Sequence, residues 1–147
     1  MTAAAKDVLR FGTMYGVDEE FLGYHIRGVP GDRLPWDLSE VVGVLTDDGH
    51  LQIRVAGLII PDRPEVPVPL RGVNPDPYFR GLVSCLTESK GHVRTVNVLT
   101  EKFAASREGN SMIDAKIDLP NPCVAPIVFV TGSAGDEWFA VTGNEND

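Results

Sequence analysis

Residues Pro120 to Gly143 read PNPCVAPIVFVTGSAGDEWFAVTG, and this stretch decides the expected fold. Its first apolar run, Ile127 to Val130, is typical of a strand that is buried on both faces. The second run, Trp138 to Val141, is equally apolar. Between them, Thr131 to Glu137 supplies two glycines and small polar residues, which is the chemistry of a turn. The stretch therefore predicts a buried antiparallel hairpin.

Three further stretches upstream show strand patterns. Asp47-Asp48-Gly49 is a strong hairpin signal, and the strand that follows it places Leu51, Ile53 and Val55 on one face at a period of two. A second antiparallel pair is predicted around Glu88 to Gly91, and a single strand with one wet face precedes Pro120. The predicted strands outside the last hairpin are Trp36 to Val44, Leu51 to Ile60, Phe79 to Thr87, His92 to Thr100 and Ser111 to Leu119. In the first of these, Leu38, Val42 and Val44 alternate with Ser39, Val41 and Gly43.

Two regions lack such a pattern. Residues 1–35 are rich in glycine and proline, so we expect an irregular segment in which Val8 to Phe11 forms a short strand or one helical turn and Asp18 to Glu20 is a loop or a short helix. Residues 61–77 hold six of the eleven prolines, which indicates a long surface connection. The chain thus predicts one all-β domain over residues 1–147, with about seven strands and little helix. We expect an antiparallel β-sandwich, with a small β-barrel as the alternative.

Composition limits the classes of partner. The net charge of -8 would repel a phosphate backbone, so we do not expect nucleic acid to bind. No apolar run approaches the roughly 18 residues of a membrane span, so we expect a soluble, acidic domain that does not cross a membrane. Residues Met1 to Val8 do not resemble a secretory signal, which makes the cytoplasm the default compartment and an extracellular location the alternative.

The two cysteines, Cys85 and Cys123, are compatible with two reduced thiols or with one disulfide. Without a secretory signal we expect free, buried and unreactive thiols. A bridge would stabilise the folded state by roughly 4 kcal/mol through loop entropy.

Motifs for nucleotide, zinc-protease and serine-hydrolase chemistry are missing, so we expect no cofactor. The best nucleophile is Cys85, with Arg94 across the predicted turn and His25 or His50 as the base. This set of residues resembles the sortase transpeptidases, β-barrels that use His, Cys and Arg. An apolar pocket that uses Tyr24, His25 and Arg80 is the other catalytic hypothesis.

Acidic loops offer a second kind of site. Asp62, Asn74 and Asp76 in the proline-rich connection could supply oxygen ligands to calcium, although no EF-hand spacing is present. Solvated loops explain the same residues.

A broader resemblance covers most of the chain. Met14 to Val17, Gly49 to Leu58, Phe79-Arg80 with Val83-Ser84-Cys85, and Leu119 to Gly143 resemble small bacterial proteins that carry no assigned activity. Gly43 to Leu58 is also similar to the repeated domain of chordin-type proteins, without the histidine pair that often follows Gly-Leu in that domain. The resemblance implies a β-sandwich and implies no activity.

The function that this sequence favours is a non-catalytic binding or structural module, because its strands are well specified and no catalytic constellation is. The ligand would be a small molecule or a protein, and a homo-oligomer is allowed. The alternative is a cofactor-free enzyme that uses Cys85, His25 and Arg94, or Tyr, Arg and His groups, in an apolar pocket. A closed cavity lined by such residues would favour the enzyme, and a filled core would favour the module.

Overall fold

A computed structural model describes residues 5–143 of the chain, and it is all-β. Residues 1–4, which belong to the N-terminal stretch considered above, and residues 144–147 lie outside the described part. The strands are β1 (Asp7–Phe11), β2 (Tyr15–Gly16), β3 (His25–Ile26), β4 (Val29–Pro30), β5 (Glu40–Thr46), β6 (His50–Ala56), β7 (Tyr78–Ser89), β8 (His92–Leu99), β9 (Phe103–Ala104), β10 (Ser111–Lys116), β11 (Val124–Thr131) and β12 (Trp138–Val141).

The strands form two open antiparallel sheets that face each other as a sandwich. The first, sheet A, has the order β1-β5-β6-β10. The second, sheet B, has the order β2-β12-β11-β7-β8, with β9 beside the start of β7. A third, two-stranded sheet pairs β3 with β4. Neither large sheet closes on itself among the described residues, so the sandwich prediction is confirmed and the barrel alternative is wrong.

All three predicted hairpin turns are present. β5 turns into β6 at Asp47 to Gly49, and Gly49 has a φ of +88°, a conformation that glycine adopts without steric cost. β7 turns into β8 through Lys90 and Gly91, which leaves Ser89 paired with His92. β11 turns into β12 through the segment 132–137. The turn chemistry read from the sequence therefore located these three hairpins.

The space between the two sheets is filled by apolar side chains. Gly81 on β7 shows how close the layers come, because a side chain there would meet Leu51 and Ile113 of sheet A. Six apolar residues taken from predicted strands of both sheets are buried, and Ile127, which begins the first apolar run, is half-buried. The six are Ile53, Val55, Ile113, Ile117, Phe129 and Phe139.

The outer face of sheet B is also covered, which explains the uninterrupted apolar runs of β11 and β12. The β3–β4 hairpin lies over it, and the Arg27 guanidinium donates to the backbone oxygens of Ala125 at 2.9 Å and Ser84 at 3.4 Å. The indole N–H of Trp138 donates to the backbone oxygen of Tyr24 at 3.2 Å. This covering segment belongs to the first 35 residues of the chain.

Those first 35 residues contain more structure than the sequence indicated. Val8 to Phe11 is part of a strand, because β1 pairs with β5. Asp18 to Glu20 belongs to a 3-10 turn, Glu19–Phe21, and the Asp18 carboxylate accepts the Glu19 N–H at 2.8 Å. A second 3-10 turn, Val68–Leu70, lies in the proline-rich connection.

The solvent-facing side of β5 also differs from the pattern that was read from Leu38, Val42 and Val44. Val42 is 61% exposed, while Val41 and Leu45 face the core. At Gly43, the Phe11 ring occupies the space that a side chain would need. No helix within residues 5–143 is both long enough and apolar enough to cross a membrane.

Candidate functional site

The cysteines form a disulfide, which corrects the expectation of free thiols. Cys85 lies on β7 and is fully buried, and its sulfur is bonded to that of Cys123, 38 residues later in the chain. The register between β7 and β11 causes this pairing, since Val124 lies opposite Leu86. A bridged sulfur carries no thiolate, so Cys85 has no nucleophile to offer in this form.

The other members of the proposed cysteine site do not gather around Cys85. Arg94 is exposed on β8, opposite Thr87. His25 is exposed in the small third sheet, and His50 lies in sheet A with its Nε2 at 2.6 Å from an oxygen of Asp114. The structure therefore places the two histidines in sheets other than that of Cys85.

The remaining catalytic candidates, Tyr24 and Arg80, are also separate. Tyr24 is 53% exposed, and its ring packs edge-on against Phe21. Arg80 donates to the backbone oxygens of Thr100 at 2.8 Å and Ser133 at 3.3 Å, and so it holds two loops together.

Two of the three residues proposed to bind calcium instead form hydrogen bonds with other groups of the protein. Asn74 is buried, its amide donates to the backbone oxygens of Asp76 at 2.7 Å and Ser106 at 2.9 Å, and its oxygen accepts the Asp76 N–H. The Asp76 carboxylate accepts the N–H and the hydroxyl of Ser133. Asp62 is exposed. Within residues 5–143, no group of three or more His, Cys, Asp or Glu side chains could hold a metal ion.

A cleft of about 490 Å³ opens at the end of the sandwich where the β11–β12 loop meets the proline-rich connection. Trp36 and Phe139 lie at its base, where their nearly buried rings stack with centroids 3.9 Å apart and planes 12° apart. Leu34, Ile60 and Leu70 extend this apolar surface. The volume lies within the roughly 300–1,000 Å³ that small-molecule sites occupy.

Carboxylates line the rim of the cleft. Asp32 and Glu137 are neighbours because the Asp32 N–H donates to the backbone oxygen of Trp138 at 3.0 Å. The Asp32 carboxylate accepts the Trp36 indole N–H at 2.7 Å and the Arg33 N–H at 2.8 Å, so its orientation is fixed. The other rim carboxylates are Asp76 and Asp136.

The Asp32–Glu137 pair forms no salt bridge with a cation among the described residues. Partial burial raises the pKa of Glu137, and the charge of Asp32, a hydrogen bond with Asp32 and the charge of Asp136 raise it further. Arg33 is the cation that acts in the opposite direction. Glu137 therefore holds its proton more tightly than an ordinary glutamate, and it lies with Asp32 at the rim of an apolar cleft.

A second acidic cluster differs from the Asp32–Glu137 pair because an arginine lies at its centre. Arg63 donates to both oxygens of Asp18, at 2.7 and 3.0 Å, and lies 3.7 Å from Asp37 and 3.9 Å from Glu65. This hydrogen bond lowers the pKa of Asp18. Arg63 balances that cluster and ties the first 3-10 turn to the proline-rich connection, whereas the cleft pair has no comparable ion pair within the described residues.

Sequence reasoning missed the cleft, because Asp32, Asp136 and Glu137 looked like solvated turn residues. The one available signal is that each acidic segment lies within a few residues of a tryptophan, in GDRLPW and GDEW. Comparison with protein-family models, with curated proteins and with solved structures finds no match to this chain.

Proposed function

We propose that the protein is a non-catalytic binding module and that its ligand site is the cleft above Trp36 and Phe139. The observation that carries the proposal is the Asp32–Glu137 carboxyl pair at the rim of an apolar cleft. Such a site suits a ligand that joins a cationic group to an apolar body. The cation would bind between the two carboxyl groups, and the apolar body would pack against Leu34, Leu70 and the exposed edge of Phe139.

Proton release gives the proposal its most direct test. A cation that binds between the two carboxyl groups favours the ionised form of Glu137, whose pKa is raised in the free protein, so the observed affinity should rise as the pH rises through that pKa. Phenethylammonium is a suitable probe, and 2-phenylethanol is its neutral match. Calorimetry in buffers of different ionisation enthalpy would measure the released proton, and tryptophan fluorescence would report occupancy beside Trp36.

Two variants distinguish binding at the cleft from attraction of a cation to the overall negative charge of the protein. We expect Glu137→Gln to weaken phenethylammonium by about 10-fold, which corresponds to roughly 1.4 kcal/mol, and to remove the proton release. Asp62→Asn makes the same change of charge on an exposed residue that does not line the cleft, and it should leave binding unchanged. Equal binding of the alcohol and the ammonium, or an equal effect of both variants, would contradict the proposal.

The rival proposal, a cofactor-free enzyme, is supported by the same pair of carboxyl groups. The raised pKa of Glu137 suits a proton donor, while the hydrogen-bonded Asp32 carboxylate could accept a proton. This enzyme would use neither Cys85 nor Arg94. Hydrolysis of chromogenic esters and acetals that is abolished by both Asp32→Asn and Glu137→Gln would favour it, and binding without turnover would favour the module.

The disulfide indicates the kind of compartment in which this function would be carried out. Bridged cysteines persist in oxidising environments and are rare where glutathione and thioredoxin keep thiols reduced. The Cys85–Cys123 bridge therefore supports the extracellular alternative over the cytoplasmic default. Alkylation of cells before lysis, followed by counting of the blocked cysteines, would test this, since a protein with both cysteines blocked would place the chain in a reducing compartment.

A further inference from the structure

β8 is an outer strand of sheet B, and its length and regularity set it apart. It has eight residues, each exposed or half-buried, and its pairing with β7 runs from His92 to Leu99 without a shift. The other outer strands are protected. β2 has two residues, β1 contains a register shift after Asp7, and β10 ends in a bridge and in charged pairs made by Asp114 and Lys116.

The hydrogen bonds at the two ends of β8 show which of its backbone groups point away from β7. The two-residue Lys90–Gly91 turn makes Ser89 and His92 a hydrogen-bonded pair, and the Thr100 N–H donates to the Gly81 oxygen at 2.8 Å beyond the other end. In an antiparallel ladder every second residue bonds to the same neighbour. The backbone groups that point away from β7 are therefore those of Val93, Thr95, Asn97 and Leu99, and no described strand pairs with them.

We propose that this edge binds the same edge of a second copy of the chain, which joins the two B sheets across a two-fold axis. The strands would run antiparallel with Val96 opposite itself. In that register Val93 faces Leu99 and Thr95 faces Asn97, and both pairs are hydrogen-bonded ones. Arg94 faces Val98. Val93 with Leu99 and Thr95 with Asn97 are thus matched in polarity, and the positive charge of Arg94 faces Val98 rather than itself.

Charge also permits a second copy to approach at this edge. Two copies that each carry a net charge of -8 repel each other over most of their surfaces. β8 contains no aspartate or glutamate, and it carries Arg94 and His92. This edge is therefore where two copies approach with little mutual repulsion. The inference is independent of the cleft, which lies at the β11–β12 loop.

Oligomeric state measured by light scattering and sedimentation, from about 1 μM to 1 mM, tests the proposal. We expect a reversible dimer. Thr95→Pro removes an outward N–H and leaves the bonds to β7 intact, so it should give a folded monomer, whereas Thr95→Val keeps the N–H and should dimerise normally. A monomeric native chain over the whole range, or equal dimerisation of the proline variant, would overturn the proposal.

Cross-linking tests the register even if the proline variant fails to fold. Val96 would lie opposite its own copy at a non-hydrogen-bonded position, where Cα atoms are about 4.5 Å apart and a disulfide can form. Val96→Cys should therefore form a covalent dimer rapidly on oxidation. Because Val96 lies opposite Cys85 on β7, peptide mapping should show the two substituted positions joined to each other and the Cys85–Cys123 bridge intact. Thr95→Cys, whose opposite residue is Asn97, should form a covalent dimer many times more slowly. Equal rates for the two variants, or no cross-link in either, would refute the register.

Discussion

Replacing Cys123 with serine removes the bridge and leaves Cys85 as a small buried apolar residue. The bridge spans 38 residues of sequence. The loop-entropy model gives about 4 kcal/mol for a loop of that size, because the unbridged unfolded chain regains the freedom that the bridge removed. Cys123 is only half-buried, so the serine hydroxyl adds little desolvation cost. We expect Cys123→Ser to lower the free energy of unfolding by about 4 kcal/mol.

Urea denaturation measures this loss, and thiol titration identifies its cause. Native protein without reductant should show no titratable thiol even after denaturation, and reduction should release two. Reduced native protein and the serine variant should unfold at similar urea concentrations, because both lack the bridge. Two thiols in denatured protein that has never met a reductant, or a serine variant within about 1 kcal/mol of the native chain, would refute the reasoning.

Three further perturbations test the fold. Phe129→Ala empties a fully buried site beside Trp138, and chemical denaturation should show a loss of about 3–5 kcal/mol. Gly16→Ala would drive a methyl group into the Trp36 backbone oxygen and should cost about 1–3 kcal/mol in thermal unfolding, whereas Gly12→Ala meets no atom within 4 Å and should be nearly neutral. Hydrogen bonds from Thr46 and Lys116 lower the pKa of Asp48 to about 2, so its stabilisation exists above its unfolded pKa and disappears as the pH falls. Asp48→Asn should therefore be less stable than the native chain near neutral pH, and the difference in a pH series of unfolding curves should vanish near pH 2.

The parts of the fold that the sequence predicted are those specified by neighbouring residues. The alternation of Leu51, Ile53 and Val55 needs only one buried face, and Asp47 to Gly49 needs only a local turn. The double burial of β11 was visible because every residue from Ile127 to Val130 is apolar. These signals lie within windows of about ten residues, and each is confirmed by the structure.

The parts that were missed depend on contacts between distant segments. β2, β3, β4 and β9 have two residues each, which is too short for any period. The face of β5 was assigned from Val42 and Val44, but the Phe11 ring that fills the space at Gly43 comes from a strand more than 30 residues earlier.

The candidate site was missed for the same reason. Asp32, the proline-rich connection and Glu137 are far apart in sequence, and the bond between the Asp32 N–H and Trp138 brings the first and last of them together. The pairing of the cysteines likewise depends on how β7 and β11 align, which no local pattern records.

The unequal burial of sheet B has a consequence for amide hydrogen exchange. β11 lies between two strands and is covered on both faces, so its amides from Val128 to Thr131 should exchange only when the whole domain unfolds. β8 has one neighbour and is open to water, so its amides should exchange through local separation from β7. If two copies join at β8, the outward amides of Thr95 and Asn97 should become protected as the protein concentration rises, while those of β11 stay the same.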